Sequence, residues 1–192
     1  MRFAVIFLLV ISGSTGVAQP DLWAGVKPHF DLPQLTPASL SDSRLAALRG
    51  LLREHRRSLG WDCGGQQFEA MLKGLIIESI PLSRSHQVVL AEASSGCARG
   101  GQGSNGAMWL VRFDGDTPFL MSTPKDGLNG WLFSIQAEES HGYHDFILGW
   151  HMGAMEGSLN YFRFDGKSYR NVGSAGYRSD DGDNLKITPY AK

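Results

Sequence analysis

Apolar side chains are spaced in two different ways along this chain. Between residues 41 and 59, Leu45, Leu48, Leu52 and Leu59 recur at helical intervals, with Leu51 beside them. Such spacing lays one apolar stripe along a helix. Ser41 stands where a capping hydroxyl belongs, Asp42 falls in the first turn, and Arg53, Arg56 and Arg57 fall in the last turns before Gly60. These residues complement the two helix ends, so one helix is predicted over 41–59. The three arginines then read as a solvated face. Downstream the apolar positions come in short runs bounded by Gly, Pro and Asp, at 75–80, 86–91, 107–113, 117–121, 131–137, 146–150, 159–164 and 168–172. Runs of this length and boundary chemistry predict strands. Residues 68–73 fit neither spacing. Residues 19–40 contain Pro20, Pro28, Pro33 and Pro37, and proline blocks both helix and ladder. They predict an extended lead-in, tacked down by Trp23 and Phe30.

The strand pattern occurs twice. Arg-Phe-Asp-Gly stands at 112–115 and again at 163–166, each time between two apolar runs. Asp-Gly in that setting predicts a hairpin. Upstream, His86-Gln-Val-Val-Leu precedes the first copy and His144-Asp-Phe-Ile-Leu precedes the second. Aligning the two histidines gives a shift of 58 and aligning the two arginines a shift of 51, with the difference absorbed in a Gly-rich loop. Each copy then reads strand, strand, Gly-rich loop, strand, turn, strand, which is a repeat signature. The expected fold is mainly β (α+β). Two meandering antiparallel four-stranded units, at 72–124 and 131–175, pack together with one N-terminal helix. Residues 41–192 form a single domain.

The first residues change the setting. Arg2, an apolar run at 3–11 and the small residues ending at Ala18 form a secretory signal peptide over 1–18. The run falls short of the ~20 residues that span a bilayer. No later stretch qualifies, so no membrane span is expected after cleavage. A secreted or periplasmic chain meets oxidising conditions, and its two cysteines, Cys63 and Cys97, predict a disulfide. The formal charge of −1 lacks the basic excess that nucleic acid attracts.

The stretch Gly-Tyr-His-Asp-Phe-Ile-Leu-Gly at 142–149, followed by Arg-Phe-Asp-Gly-Lys-Ser-Tyr at 163–169, resembles secreted bacterial proteins with blade-like repeats of the FG-GAP/VCBS type. The resemblance spans residues 72–175 and implies a β-rich extracytoplasmic binding module. In that class an Asp-rich calcium loop precedes the apolar strand. The corresponding stretch here, at 138–145, lacks the alternating aspartates, which puts calcium in doubt.

Several residues carry candidate chemistry. His141, His144, Asp145 and His151 are the densest group of metal-capable side chains. His141 and His144, with Glu138 or Glu139, lie in one turn and have the donor types zinc accepts. Asp145, at the strand start, is expected to cap a neighbouring turn. Gly-Gln-Gly-Ser-Asn-Gly at 101–106 spells a dinucleotide fingerprint, but a strand follows it where a helix N-terminus is required. Gly-x-Ser-x-Gly is absent, and the spacing of Glu78, Glu138, Glu139 and Glu156 recommends no catalytic pair. The acidic stretch at 180–184 is too short for an EF-hand loop. Trp109, Trp131, Trp150, Tyr161, Phe162 and Tyr169 are able to line a glycan or peptide surface, or to fill the core. The leading expectation is a non-catalytic binding or inhibitor-like module with a protein or glycan partner of the envelope or exterior, and no cofactor. The alternative is a metal-dependent hydrolase using zinc at His141 and His144. A third expectation is assembly through an open sheet edge.

Overall fold

The computed structural model describes residues 22–30, 32–59, 63–94, 96–98, 105–153, 155–180 and 184–190. The signal peptide expected at 1–18 lies outside them, as does most of the Gly-rich stretch before residue 105.

Helix α1 spans Asp42–Glu54, and the Ser41 hydroxyl accepts the Arg44 N–H at 3.3 Å as its cap. The predicted helix was longer. Residues Arg56–Leu59 wind more tightly as a 3-10 turn, which still buries Leu59. A second helix, α2 at Gly65–Lys73, corrects the expectation of one. Its Phe68, Met71 and Leu72 are buried, but nine residues hold too few turns for a periodic signal. Arg53 docks it by donating to both Glu69 carboxylate oxygens at 2.8 Å.

Ten antiparallel strands form one open sheet. They are β1 (Thr36–Pro37), β2 (Ile76–Ser79), β3 (Gln87–Glu92), β4 (Gly106–Asp114), β5 (Thr117–Ser122), β6 (Asn129–Ser140), β7 (Tyr143–His151), β8 (Glu156–Phe164), β9 (Tyr169–Ser179) and β10 (Leu185–Pro189). Strands β1 to β4 pair in sequence order, β5 pairs with β4, and β6 to β10 again pair in sequence order. Among the described residues the two runs pair as strands only where Gly106 and Ala107 of β4 face Gly130 and Asn129 of β6. Gly130 has φ 111° there, and a Cβ on it would strike the Gly149 carbonyl oxygen.

The sheet folds back on itself at this junction, as its three cores show. One core lies under the helices, where Leu48, Leu52, Phe68 and Leu72 meet Val89, Trp109, Val111 and Phe113. The second joins the two runs of strands through Val88, Leu90, Met108 and Leu110 on one side and Phe146, Leu148, Phe162 and Phe164 on the other. The third lies on the far side of β6–β10, where Phe133, Ile147, Leu159, Tyr161 and Tyr177 are covered by Leu22, Trp23 and Val26 of the lead-in. Trp23 meets Tyr161 edge-on, and Phe30 packs against Trp131, Phe133 and Tyr177. Alternating strand residues thus feed two cores at once.

Cys63 and Cys97 are bridged, with Cα atoms 5.7 Å apart. The bridge ties the residue before α2 to the β3–β4 connection; it does not link the two runs of strands. Among the described residues no helix is long and apolar enough to cross a membrane.

The two Asp-Gly turns differ. In the first, Asp114 pairs with Thr117 across Gly115 and Asp116. In the second, Asp165 Oδ1 accepts the N–H groups of Lys167 and Ser168, both at 2.8 Å. These donors, helped by Arg170, hold its carboxyl down at about 2 against an ordinary 3.8. A lowered carboxyl stabilises the fold above its unfolded pKa and loses that contribution as pH falls through the folded one. The stability gap between wild type and Asp165→Ala is therefore expected to be full near neutrality and to close as pH falls from about 4 to about 2. Urea unfolding at several pH values measures it.

Candidate functional site

The predicted metal pair sits on the β6–β7 hairpin. Ser140 and Tyr143 close the hairpin, and His141 and Gly142 turn it with φ 52° and 79°. Two successive left-handed residues make the tight turn that strand twist favours. His141 lies over the second Asp-Gly turn, with its ring edge-on to Phe164 at 6.4 Å. His144 is on the strand. Its Nε2 is 3.1 Å from Glu139 Oε1, directly across the ladder, and Arg84 approaches the same carboxylate at 3.8 Å. The His144 backbone is also engaged, donating to Leu82 and accepting from the Tyr169 hydroxyl, both at 2.8 Å. Among the described residues no three His, Cys, Asp or Glu side chains converge as a metal site would require. What the hairpin holds is a His144–Glu139 contact and a turn residue, His141.

Asp145 is not a turn cap. It is fully buried, and Arg163 of the neighbouring strand β8 places Nε and Nη2 each 2.8 Å from its Oδ2. Its Oδ1 makes no hydrogen bond of ordinary geometry among the described residues, with the Tyr161 phenol beside the carboxylate. Burial, and then the Asp145 and Glu138 carboxylates, push the neighbouring Tyr161 phenol up to about 12. A buried carboxylate needs such a partner to remain charged. The geometry is that of a structural ion pair between β7 and β8.

A polar network absent from the sequence expectations joins the two runs of strands. The His86 ring stacks on Tyr143 at 5.8 Å, with Nδ1 3.2 Å from the Tyr143 hydroxyl and 2.9 Å from Ser85 Oγ. Arg112 donates to Asp114 at 2.9 Å and to Tyr143 at 3.5 Å. These groups bond to one another where the chain enters β3 and along β4 and β7, with Arg112 Nε left without a hydrogen-bond partner among the described residues. Local sequence carries no signal for them, because they come from three separate segments: His86 before β3, Arg112 and Asp114 on β4, and Tyr143 on β7.

The accessible surface of interest is the outer edge of β6. Strand β6 pairs with β7 along its length, but on its other side meets β4 only through Asn129 and Gly130. From Phe133 to Ala137 that side faces a cleft of about 630 Å³, walled by Phe133, Ser134, Ile135, Gln136 and Ala137 and, opposite, by lead-in residues that include Lys27, His29 and Leu32. Gln136 donates to Ser134 Oγ at 2.6 Å, so two polar side chains line the edge together. The ladder to β7 is irregular between Ile135 and Glu139, and that bulge bends the strand beside the cleft. The remaining edges are built differently. β1 carries Pro37, β5 carries Pro118 and β10 carries Pro189. Proline lacks the donor an added strand needs and blunts an edge. β6 contains no proline, lysine or arginine.

The aromatic expectation narrows. Trp109, Tyr161, Phe162 and Tyr169 are buried in the cores, leaving Trp131 partly and Trp150 largely accessible. Comparison of the chain with protein-family models, with characterised proteins and with solved structures finds no match to any of them.

Proposed function

We propose that this protein is a non-catalytic binding module of the periplasm or cell exterior, and that it takes an extended peptide segment of a partner protein along the outer edge of β6. One observation carries the reading. Among the edge strands that the described residues form, β6 alone has neither proline nor a basic residue, and beside it lies a cleft. Unpaired backbone along a strand is a template for another strand, whose main-chain hydrogen bonds supply affinity while side-chain pockets supply specificity. Phe133 and Ile135 provide apolar wall, and Ser134 and Gln136 provide polar side chains. The disulfide and the expected leader at 1–18 support an oxidising compartment.

We further propose that β2–β5 and β6–β9 are two copies of one blade-like unit, stacked front to back. The shared Arg-Phe-Asp-Gly equates Val111 with Phe162 and Phe113 with Phe164. Val111 and Phe113 face the helices, while Phe162 and Phe164 face the first copy. The same face of each unit therefore points the same way, as in neighbouring blades of a propeller.

Selection from a random heptapeptide display library tests the peptide reading. Binders are expected that lose about ten-fold in affinity with Ala137→Pro and with Gln136→Lys, because one main-chain hydrogen bond is worth about 1–1.5 kcal/mol. Binders indifferent to both substitutions would overturn the assignment. The competing hydrolase reading keeps one contact, the His144–Glu139 pair. Zinc bound by the wild type and lost with His141→Ala/His144→Ala would promote it.

A further inference from the structure

We infer that the tip of the β7–β8 hairpin is a binding site for a soft monovalent cation, copper(I), held by His151, Met155 and Met152. This site is separate from the β6 edge, and neither reading depends on the other.

The methionines point to it first. Met71, Met108 and Met121 are buried in the cores, as apolar side chains should be. Met152 and Met155 are instead 71% and 43% exposed, and both follow His151 within four residues of chain. A thioether on the surface gains nothing from burial, but it is a soft donor. Thioether and imidazole together select copper(I), whereas calcium and magnesium prefer oxygen ligands.

The ladder brings the donors to one place. His151 pairs with Gly157, and the Tyr177 ring fills the space a side chain at 157 would take, on the same face as the imidazole. Beyond β8, the Met155 carbonyl accepts the Ser179 N–H at 2.8 Å and continues the β8–β9 pairing by one residue. Strand alternation then puts Met155 on the face of Gly157 and His151, one step nearer the tip. Diagonal neighbours on one face lie about 7 Å apart, within the joint reach of an imidazole and a thioether. Met152 enters from the turn, where its N–H and that of Gly153 both donate to the Glu156 carbonyl at 3.1 Å. Its three side-chain torsions let the sulfur fold toward the same point.

The histidine is positioned as a ligand would be. Its ring stacks on Trp131 at 5.0 Å and 18°. Nδ1 is 2.9 Å from the Tyr177 hydroxyl, and Nε2 has no hydrogen-bond partner among the described residues. Asn105 grips the same residue's backbone, donating to its carbonyl at 3.0 Å and accepting its N–H at 3.1 Å. When the Tyr177 hydroxyl accepts Nδ1–H, the Nε2 lone pair is left for a metal, the usual outer arrangement around a ligating imidazole.

The test is an anaerobic copper(I) titration of the purified chain against bicinchoninate, read by competitor absorbance and tryptophan fluorescence. One copper(I) per chain is expected to be withheld from the competitor, with fluorescence quenched up to one equivalent because Trp131 stacks on the ligand ring. The Met152→Leu/Met155→Leu protein keeps the apolar volume of two exposed side chains and is expected to melt as wild type does. It should bind at least about 100-fold more weakly, a loss at the upper end of what outer-shell changes alone cause. No copper(I) withheld by the wild type would overturn the site. Wild-type affinity in the double leucine protein would also overturn it, as would zinc(II) displacing copper(I) at equal concentration.

Discussion

Replacing Arg163 with methionine is expected to destabilise the fold by about 3 kcal/mol, the lower end of the cost of stripping a buried charge of its partner. Asp145 is 0% exposed and sits between β6 and β8, with one carboxylate oxygen making no hydrogen bond of ordinary geometry among the described residues. Arg163 supplies both hydrogen bonds to the other oxygen. Its own side chain is 37% exposed, and water on that side keeps the figure at the low end. Methionine fills the aliphatic part of the arginine and removes only the charge and the donors. The double variant Asp145→Leu/Arg163→Met takes away both charges and should recover most of the loss, since paired buried charges are often no better than apolar residues of similar volume. Urea denaturation of the two single variants and the double one completes the cycle. Equal destabilisation in the single and double variants would mean that Arg163 acts through packing, not charge.

Loss of the disulfide is the second large expected effect. Cys63 and Cys97 are 34 residues apart, and a loop of that size is worth about 3–4 kcal/mol of unfolded-state entropy. The bridge anchors α2, a helix of nine residues, to the β3–β4 connection. So short a helix is not stable alone, and its Phe68, Met71 and Leu72 depend on remaining seated. Cys63→Ser/Cys97→Ser should lower the melting temperature by about 10 °C or more for a domain of this size, and amides of α2 should exchange before those of β7 and β8. Uniform loss of protection across the sheet would contradict that order.

The sequence pattern led directly to some elements and past others, for physical reasons. Helix α1 was legible because four leucines repeat over several turns, whereas α2 has barely two turns. Strands β3, β4 and β7 were legible because most of their residues are buried and their apolar runs are nearly continuous, and β8 because its burial alternates along the strand. Strand β1 has two residues and β10 ends in Pro189, so neither resembles a strand locally. Under the proposed two-copy reading, the histidine match differs by one residue from the register of the ladders. The ladder pairs Val89 with Val111 and Phe146 with Phe162, which gives a shift of 57 for β3 and β7 where matching the histidines gives 58. Such a slip exchanges the two faces of a strand, and the histidine match had no contact behind it. The cysteine pair needed only composition and compartment. Asp145 was misread because its partner arrives from the next strand, 18 residues later. The open edge of β6 was invisible for the same kind of reason. Which strand lies beside which is decided by the folded-back sheet, and no local pattern records a missing neighbour.

Hydrogen–deuterium exchange across residues 129–140, with and without a library-selected peptide, tests the central claim most directly. In the free protein the β6 amides that face the cleft should exchange faster than those paired with β7. Saturating peptide should slow the cleft-facing amides of 131–137, because an added strand takes up their hydrogen bonds. Protection at the His86–Tyr143 end of the sheet with unchanged exchange in β6 would contradict the account.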